Sequence, residues 1–152
     1  MKRKPLKRHE GLKPLSREHH RGLLLAWNIK KGIAKEVHFD RIANYIHFQF
    51  EELLLPHFEF EELEVFCLLP EDNSLRQQAE KDHKDLVKTV KNLNTSEDCA
   101  KFAELLRKHI RFEERELFEY IQHSADLNRL EALKNKWSEN LNCLNWEDSF
   151  WK

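Results

Sequence analysis

Two decapeptides in this chain place the same side chains at the same spacing. They are His57-Phe-Glu-Phe-Glu-Glu-Leu-Glu-Val-Phe66 and His109-Ile-Arg-Phe-Glu-Glu-Arg-Glu-Leu-Phe118, identical at six of ten positions and 52 residues apart. Each sets a histidine four residues before a glutamate. Four residues of α-helix advance about 400°, so both side chains leave one face about 40° apart, one turn above the other. An imidazole nitrogen and a carboxylate converge there, in duplicate. On a solvated face such a pair amounts to a few tenths of a kcal/mol of surface interaction, so the face it occupies decides what it means.

At about 100° per residue, His57 and Glu61 fall within the apolar stripe of Ile42, Ile46, Phe50, Leu53, Phe60 and Leu68. His109 and Glu113 fall among Phe102, Leu105, Leu106, Phe112, Leu117 and Tyr120. Both pairs point at a core. His83 lies in the stripe of Leu75, Ala79, Leu86, Val87 and Val90. Of the adjoining His19 and His20, His19 is near the centre of the stripe of Leu15, Leu23, Ala26, Ile29 and Ile33, whereas His20 is turned 100° toward Leu24 and Trp27. Four segments thus each aim an imidazole inward, and two add a carboxylate.

An unpaired buried carboxylate costs several kcal/mol, so cations must sit among these groups. Four nitrogens and two carboxylates are too many donors for one tetrahedral structural zinc, and too nitrogen-rich for calcium or magnesium. Imidazole with carboxylate suits iron, manganese or zinc, and a carboxylate can bridge two cations. Two non-haem iron ions in a dinuclear centre fit best, in parallel with the inward Glu and Glu-x-x-His ligands of carboxylate-rich helix bundles. Glu64 and Glu116 recur seven residues after each motif histidine and read as acids at the rim of the site. Glu62 and Glu114 face away and read as solvated, so Glu61→Gln or Glu113→Gln should cost far more metal affinity than the same change at 62 or 114.

The elements that position these groups follow from apolar spacing near 3.6 residues at Leu15 to Ala34, Phe39 to Leu69, Leu75 to Leu93 and Cys99 to Gln122. The connections between them are short, with Thr95 or Ser96 offered as an N-cap. Short connections favour antiparallel neighbours, so the expected fold is all-α, an up-down-up-down four-helix bundle. Residues 1–14, with Lys2, Arg3, Lys4, Lys7, Arg8 and the breakers Pro5, Gly11 and Pro14, read as a basic arm outside the bundle, either solvated or touching an acidic surface. The bundle spans 15–123. Residues 124–152 carry a short helix, Asp126 to Trp137, and a tail whose Trp146, Phe150 and Trp151 pack on the bundle or meet a protein partner.

The remaining composition excludes more than it names. In 152 residues, Gly 3 and Pro 4 are too few for the turns of an all-β domain. A charged fraction of 35% and no long uncharged apolar run argue against a membrane span. Net charge −1 with pI near 6.8 argues against a nucleic-acid partner. Cys67, Cys99 and Cys143, odd in number and far apart, fit a reducing cytoplasmic compartment. The basic N-terminus lacks the apolar stretch of an export signal. No activated nucleophile or phosphate loop marks a hydrolase or kinase, so no catalytic residue is assigned.

The chain resembles the hemerythrin-like, or HHE cation-binding, domain family from Leu15 to about Gln122. The likeness is carried by Leu-Ser-Arg-Glu-His-His at 15–20, Pro-His-Phe-Glu-Phe-Glu-Glu at 56–62, Asp-His at 82–83 and the motif at 109–118. The resemblance implies a four-helix bundle with a non-haem di-iron centre, His19, His57, His83 and His109 as terminal ligands and Glu61 and Glu113 as bridges. It also marks two departures from the oxygen carriers of the family. Ala79 and Val87 stand where a second histidine would flank His83, and the last motif is His-x3-Glu rather than His-x4-Asp. One iron would then be short of a donor and open to dioxygen, nitric oxide or peroxide, behind an apolar wall of Phe50, Phe60, Phe102 and Phe112. The alternatives are a nitric oxide- or peroxide-consuming or iron-sulfur repair factor, and an iron- or oxygen-responsive module that acts through the arm or the Trp-rich tail. His38 reads as a loop residue, though it or His20 would be the candidate for a further ligand; His47 and His123 lie off the centre.

Overall fold

The computed structural model describes residues 7–152, which are helical throughout their regular structure with no strand among them. Helix α1, Lys13–Ala34, begins with Pro14 in its first turn, where a missing N–H leaves no bond unmade. Helix α2, Phe39–Gln49, is capped by His38, whose Nδ1 accepts from the Asp40 N–H at 3.2 Å. That fixes His38 at the surface, away from any centre. A π turn at Phe50–Leu54 leads to α3, Leu55–Phe60, and a second at Glu61–Val65 runs on to the 3-10 turn Phe66–Leu68. Asn73 caps α4, Ser74–Lys91. Thr95 and Asp98 form a reciprocal capping box on α5, Ser96–Phe112, which satisfies two otherwise orphaned N–H groups. A third π turn, Glu113–Leu117, joins α5 to α6, Phe118–Ser124.

The π turns are the main departure from the straight helices that periodicity predicts. Each adds a residue to one turn and rotates everything after it relative to the incoming stripe. Tyr120, expected inside, is therefore 42% exposed, while Phe118 and Ile121 are fully buried in its place. Both motif glutamates, Glu61 and Glu113, are the first residue of a π turn.

The core is two apolar clusters with a polar layer between them. Leu25, Ile46, Leu86, Phe102 and Leu106 belong to one, and Leu12, Leu15, Phe66, Ala79, Leu117 and Phe118 to the other. Along α1 the order is Leu15, His19, Leu25; along α4 it is Ala79, His83, Leu86; from α5 onward it is Leu106, His109, Leu117. Each long segment thus carries one polar interruption at the same level. Helix α1 packs chiefly along α5, and α5 also meets α2 and α4.

The ends of the chain pack more closely than their composition suggests. Lys2, Arg3 and Lys4 lie outside the described residues, but Leu12 is fully buried, and Arg8 donates to the Glu114 carbonyl at 2.9 Å and to Gln122 Oε1 at 3.1 Å. Residues 8–14 are therefore not a solvated arm, because one leucine among the basic residues anchors them. At the other end, α7 (Leu127–Ala132) and the 3-10 turn Leu141–Leu144 precede a tail whose Phe150 and Trp151 rings lie 5.2 and 5.0 Å from Tyr45. The Phe150 ring sits where a Cβ on Gly32 would reach, 2.4 Å from its nearest atom. Gly32→Ala is expected to push Phe150 off α1 and lower the melting temperature by several degrees, on the order of 1–3 kcal/mol. Calorimetry of the variant checks this, and an unchanged melting temperature would mean the tail does not depend on that contact. Among the described residues no helix is long and apolar enough to cross a membrane.

Candidate metal centre

The polar layer brings together all six residues that the helical phase singles out. His19, His57, Glu61, His83, His109 and Glu113 are each at most 4% exposed. They form two groups that share both carboxylates: His19, His57, Glu61 and Glu113, and Glu61, His83, His109 and Glu113, with the donor atoms of each group within 4.8 Å of one another. His19 Nε2 lies 2.8 Å from Glu113 Oε1, and His57 Nε2 lies 3.2 Å from Glu61 Oε1. On the other side His83 Nε2 lies 3.3 Å from Glu61 Oε1, and His109 Nε2 lies 3.3 Å from Glu113 Oε2. The donors divide evenly, two imidazoles to each group. With no second histidine on α4, the two groups hold equal numbers of imidazoles.

Every inward atom is Nε2, because every Nδ1 is held by a carboxylate. His57 Nδ1 meets Glu18 at 3.0 Å, His83 Nδ1 meets Glu62 at 3.0 Å, His109 Nδ1 meets Asp82 at 2.9 Å and His19 Nδ1 meets Glu114 at 2.8 Å. An ionised carboxylate only accepts, so each Nδ1 donates, and a ring that gives up its second proton turns an Nε2 lone pair toward the centre. The four braces close a ring around the bundle: α1 supports α3, the turn after α3 supports α4, α4 supports α5, and the turn after α5 supports α1. Carboxylate–histidine pairs of this kind orient metal-binding imidazoles and raise their basicity.

Glu62 is exposed, as the sequence predicts, and Glu114 is partly buried, but neither is idle, because each holds an imidazole. Each lies 100° from an inward glutamate, at the flank that meets the next helix, and is captured there by an imidazole. The signal was present as four adjacent pairs, Glu18-His19, Glu61-Glu62, Asp82-His83 and Glu113-Glu114. Glu116, expected at the rim, is exposed, and Glu64 pairs with Lys136 at 3.2 Å. The rings against the imidazoles also differ from the expected wall. Phe58 stacks on His83 at 4.0 Å between centroids, Phe66 reaches the same ring at 5.3 Å, and Phe118 stacks on His19 at 5.3 Å. His20, His47 and His123 are exposed.

Electrostatics show what the cluster lacks. Burial and the neighbouring Glu113 push Glu61 up to about 8, so it holds a proton at neutral pH. Glu113 resists the same burial: His109 and His19 hold it well below the usual carboxylate range. Burial works against charge on His109, but Glu113 and Asp82 outweigh it and hold the imidazole at about 10. Protons held among these groups balance the buried carboxylates. Even so, both Glu61 oxygens, Glu113 Oε2, His83 Nε2 and His109 Nε2 are buried without a hydrogen-bond partner among the described residues. Buried polar atoms are rarely left so. Five orphans facing one point are what a pair of cations would satisfy, and the mixed imidazole and carboxylate donor set fits iron.

An all-helical domain with a buried, doubled cluster of imidazole and carboxylate donors has the make-up of a metal-binding helical bundle. Comparison with known families agrees, since the model of the hemerythrin HHE cation-binding domain matches residues 11–121. The chain belongs to that family and is a metal-binding protein. No curated protein and no solved structure matches it.

Proposed function

We propose that this chain is an up-down-up-down four-helix bundle that holds two non-haem iron ions, one in each four-residue group, and binds or senses a small ligand at them. The observation that carries the reading is the convergence of five unpartnered buried donor atoms on one centre. His19 and His57 would hold one ion, His83 and His109 the other, and Glu61 and Glu113 would face both. Ferrous ions held there would supply the electrons for binding a ligand such as dioxygen, nitric oxide or peroxide. The chain's own contribution is to fix four Nε2 atoms through their braced Nδ1 partners and to keep water out with Phe58, Phe66 and Phe118.

A groove of about 390 Å³ beside α4 provides the approach. Leu55, Phe58 and Val87 line it, Lys84, Lys88 and Lys91 edge it, and it reaches His83 and Glu62. On this reading diatomic molecules and peroxide would approach from the His83 side, past the Phe58 ring. Val87→Trp is expected to slow ligand association by about tenfold or more without changing iron content. Stopped-flow mixing of the reduced protein with nitric oxide checks this, and an unchanged rate would place the entry elsewhere.

Metal analysis of anaerobically purified protein tests the whole reading. The expected result is about two irons per chain, with new near-ultraviolet and visible absorption on exposure to air. One zinc and a featureless spectrum would end it.

A further inference from the structure

The segment that matches the family model ends at residue 121, yet one of the four braces is held from beyond it. Trp137 Nε1 donates to Glu18 Oε1 at 2.7 Å, the same oxygen that accepts from His57 Nδ1 at 3.0 Å. Glu18 is 2% exposed, so protein groups rather than bulk water decide how that carboxylate is turned. The indole is fixed in its turn. It stacks on Phe60 at 4.8 Å between centroids with the planes 26° apart, and neighbouring Asn140 donates to the Glu52 carbonyl at 2.9 Å.

The other braces are secured without the C-terminal segment, although Arg8 near the N-terminus also reaches Glu114, at 3.6 Å. Glu114 accepts from Ser16 Oγ at 2.8 Å, and Asp82 accepts from Gln78 Nε2 at 2.7 Å. Glu62 is half exposed and has His83 as its partner. Among the described residues, only the brace behind His57 is held by the C-terminal segment. That segment therefore acts on one side of the centre.

We infer that Trp137 is a positioning residue for the metal centre: by holding Glu18 it sets the orientation of His57 Nε2, and so the affinity of the His19/His57 position alone. This rests on the two-metal reading above. The His83/His109 position hangs on braces that the indole does not touch. Coupling of this kind is reciprocal, so a metal ion at the His19/His57 position tightens the docking of the C-terminal segment by the same factor by which the docked segment tightens the ion.

The test is an anaerobic calorimetric titration of the full chain with ferrous iron. Trp137→Phe keeps an aromatic ring on Phe60 and removes the N–H. The variant is expected to bind one ion as the wild type does and the other about tenfold more weakly, the usual scale for a lost brace. Glu18→Ala should weaken the same single ion, and adding Trp137→Phe to it should cost nothing more, because both changes cut one path. A second readout does not depend on affinity. The Trp137 indole N–H proton resonance, assigned by its absence from the variant, should move when the wild type is loaded with iron. Equal weakening of both ions, or two unchanged affinities in Trp137→Phe, overturns the inference while the two-metal reading stands. A wild-type chain that takes up no iron overturns both.

Discussion

Glu61→Gln and Glu113→Gln are each expected to lower the affinity for both metal ions by roughly 100-fold or more, since each removes a donor that two groups share and exceeds the loss of a single brace. The changes at the neighbouring positions should rank below them. Glu62→Gln and Glu114→Gln leave the donors in place but remove a charged acceptor from His83 Nδ1 and His19 Nδ1, and about tenfold is expected at one ion each. Glu59→Gln, on the exposed face of α3, should change nothing. Anaerobic titration with ferrous iron against a competing chelator gives all five numbers. Equal losses at positions 59, 62 and 61 would mean that the carboxylates do not face a common centre. The metal-free Glu61→Gln protein should keep its melting temperature at pH 7 to within a few degrees, because burial and Glu113 already keep Glu61 protonated there.

The second large effect is an opposite pH dependence of folding and of metal uptake. Glu61 is pushed up from 4.5 to about 8, and His109 is held up from 6.5 to about 10. A group whose pKa is raised on folding stabilises the fold fully below its unfolded value, and that contribution fades as pH climbs through the folded value. The metal-free protein should therefore lose stability from about pH 4.5 upward as Glu61 is deprotonated, and from about pH 6.5 to 10 through His109. His19 and His83 are raised as well, against their own burial, by the glutamates they face, and they act in the same direction. Glu113, held low, matters only in stronger acid, where protonating it removes stability.

Metal binding must displace these same protons, because a ligand is deprotonated when it coordinates. Affinity for iron should therefore rise over the range in which the empty fold weakens. Calorimetry is expected to show the metal-free melting temperature falling by roughly 10 °C between pH 5 and 9. Titrations with ferrous iron at pH 7 in buffers of different ionisation enthalpy should show about two or more protons released as the centre fills. A metal-free melting temperature that rises steadily over that range, or uptake without proton release, would mean that protons do not substitute for metal in this core.

Helical phase alone determined which residues face inward. His19, His57, His83 and His109 each recur within an apolar stripe, and a 3.6-residue period fixes the direction of a side chain before any tertiary contact forms. The same arithmetic placed Glu61 and Glu113 beside the imidazoles. It held because each motif spans a single turn, and because the interruption at both glutamates begins only at that residue. Beyond it the arithmetic failed, as Tyr120 records, since a π turn shifts the helical phase and leaves no mark in the spacing.

Only the tertiary structure decided the fate of residues one position off the stripe. Such a residue is turned 100° to the flank, where it meets only water if no helix lies there and finds a partner if one does, even when, like Glu62, it stays half exposed. Glu18, Glu62, Asp82 and Glu114 became braces, while Glu59 and Glu116 stayed in water, because the flank of one helix faces an imidazole of the next only at the level of the polar layer. The indole of Trp137 reaching Glu18 across 119 residues of sequence belongs to the same kind. Which chain segments meet is set by packing over the whole molecule, and no local pattern carries that information.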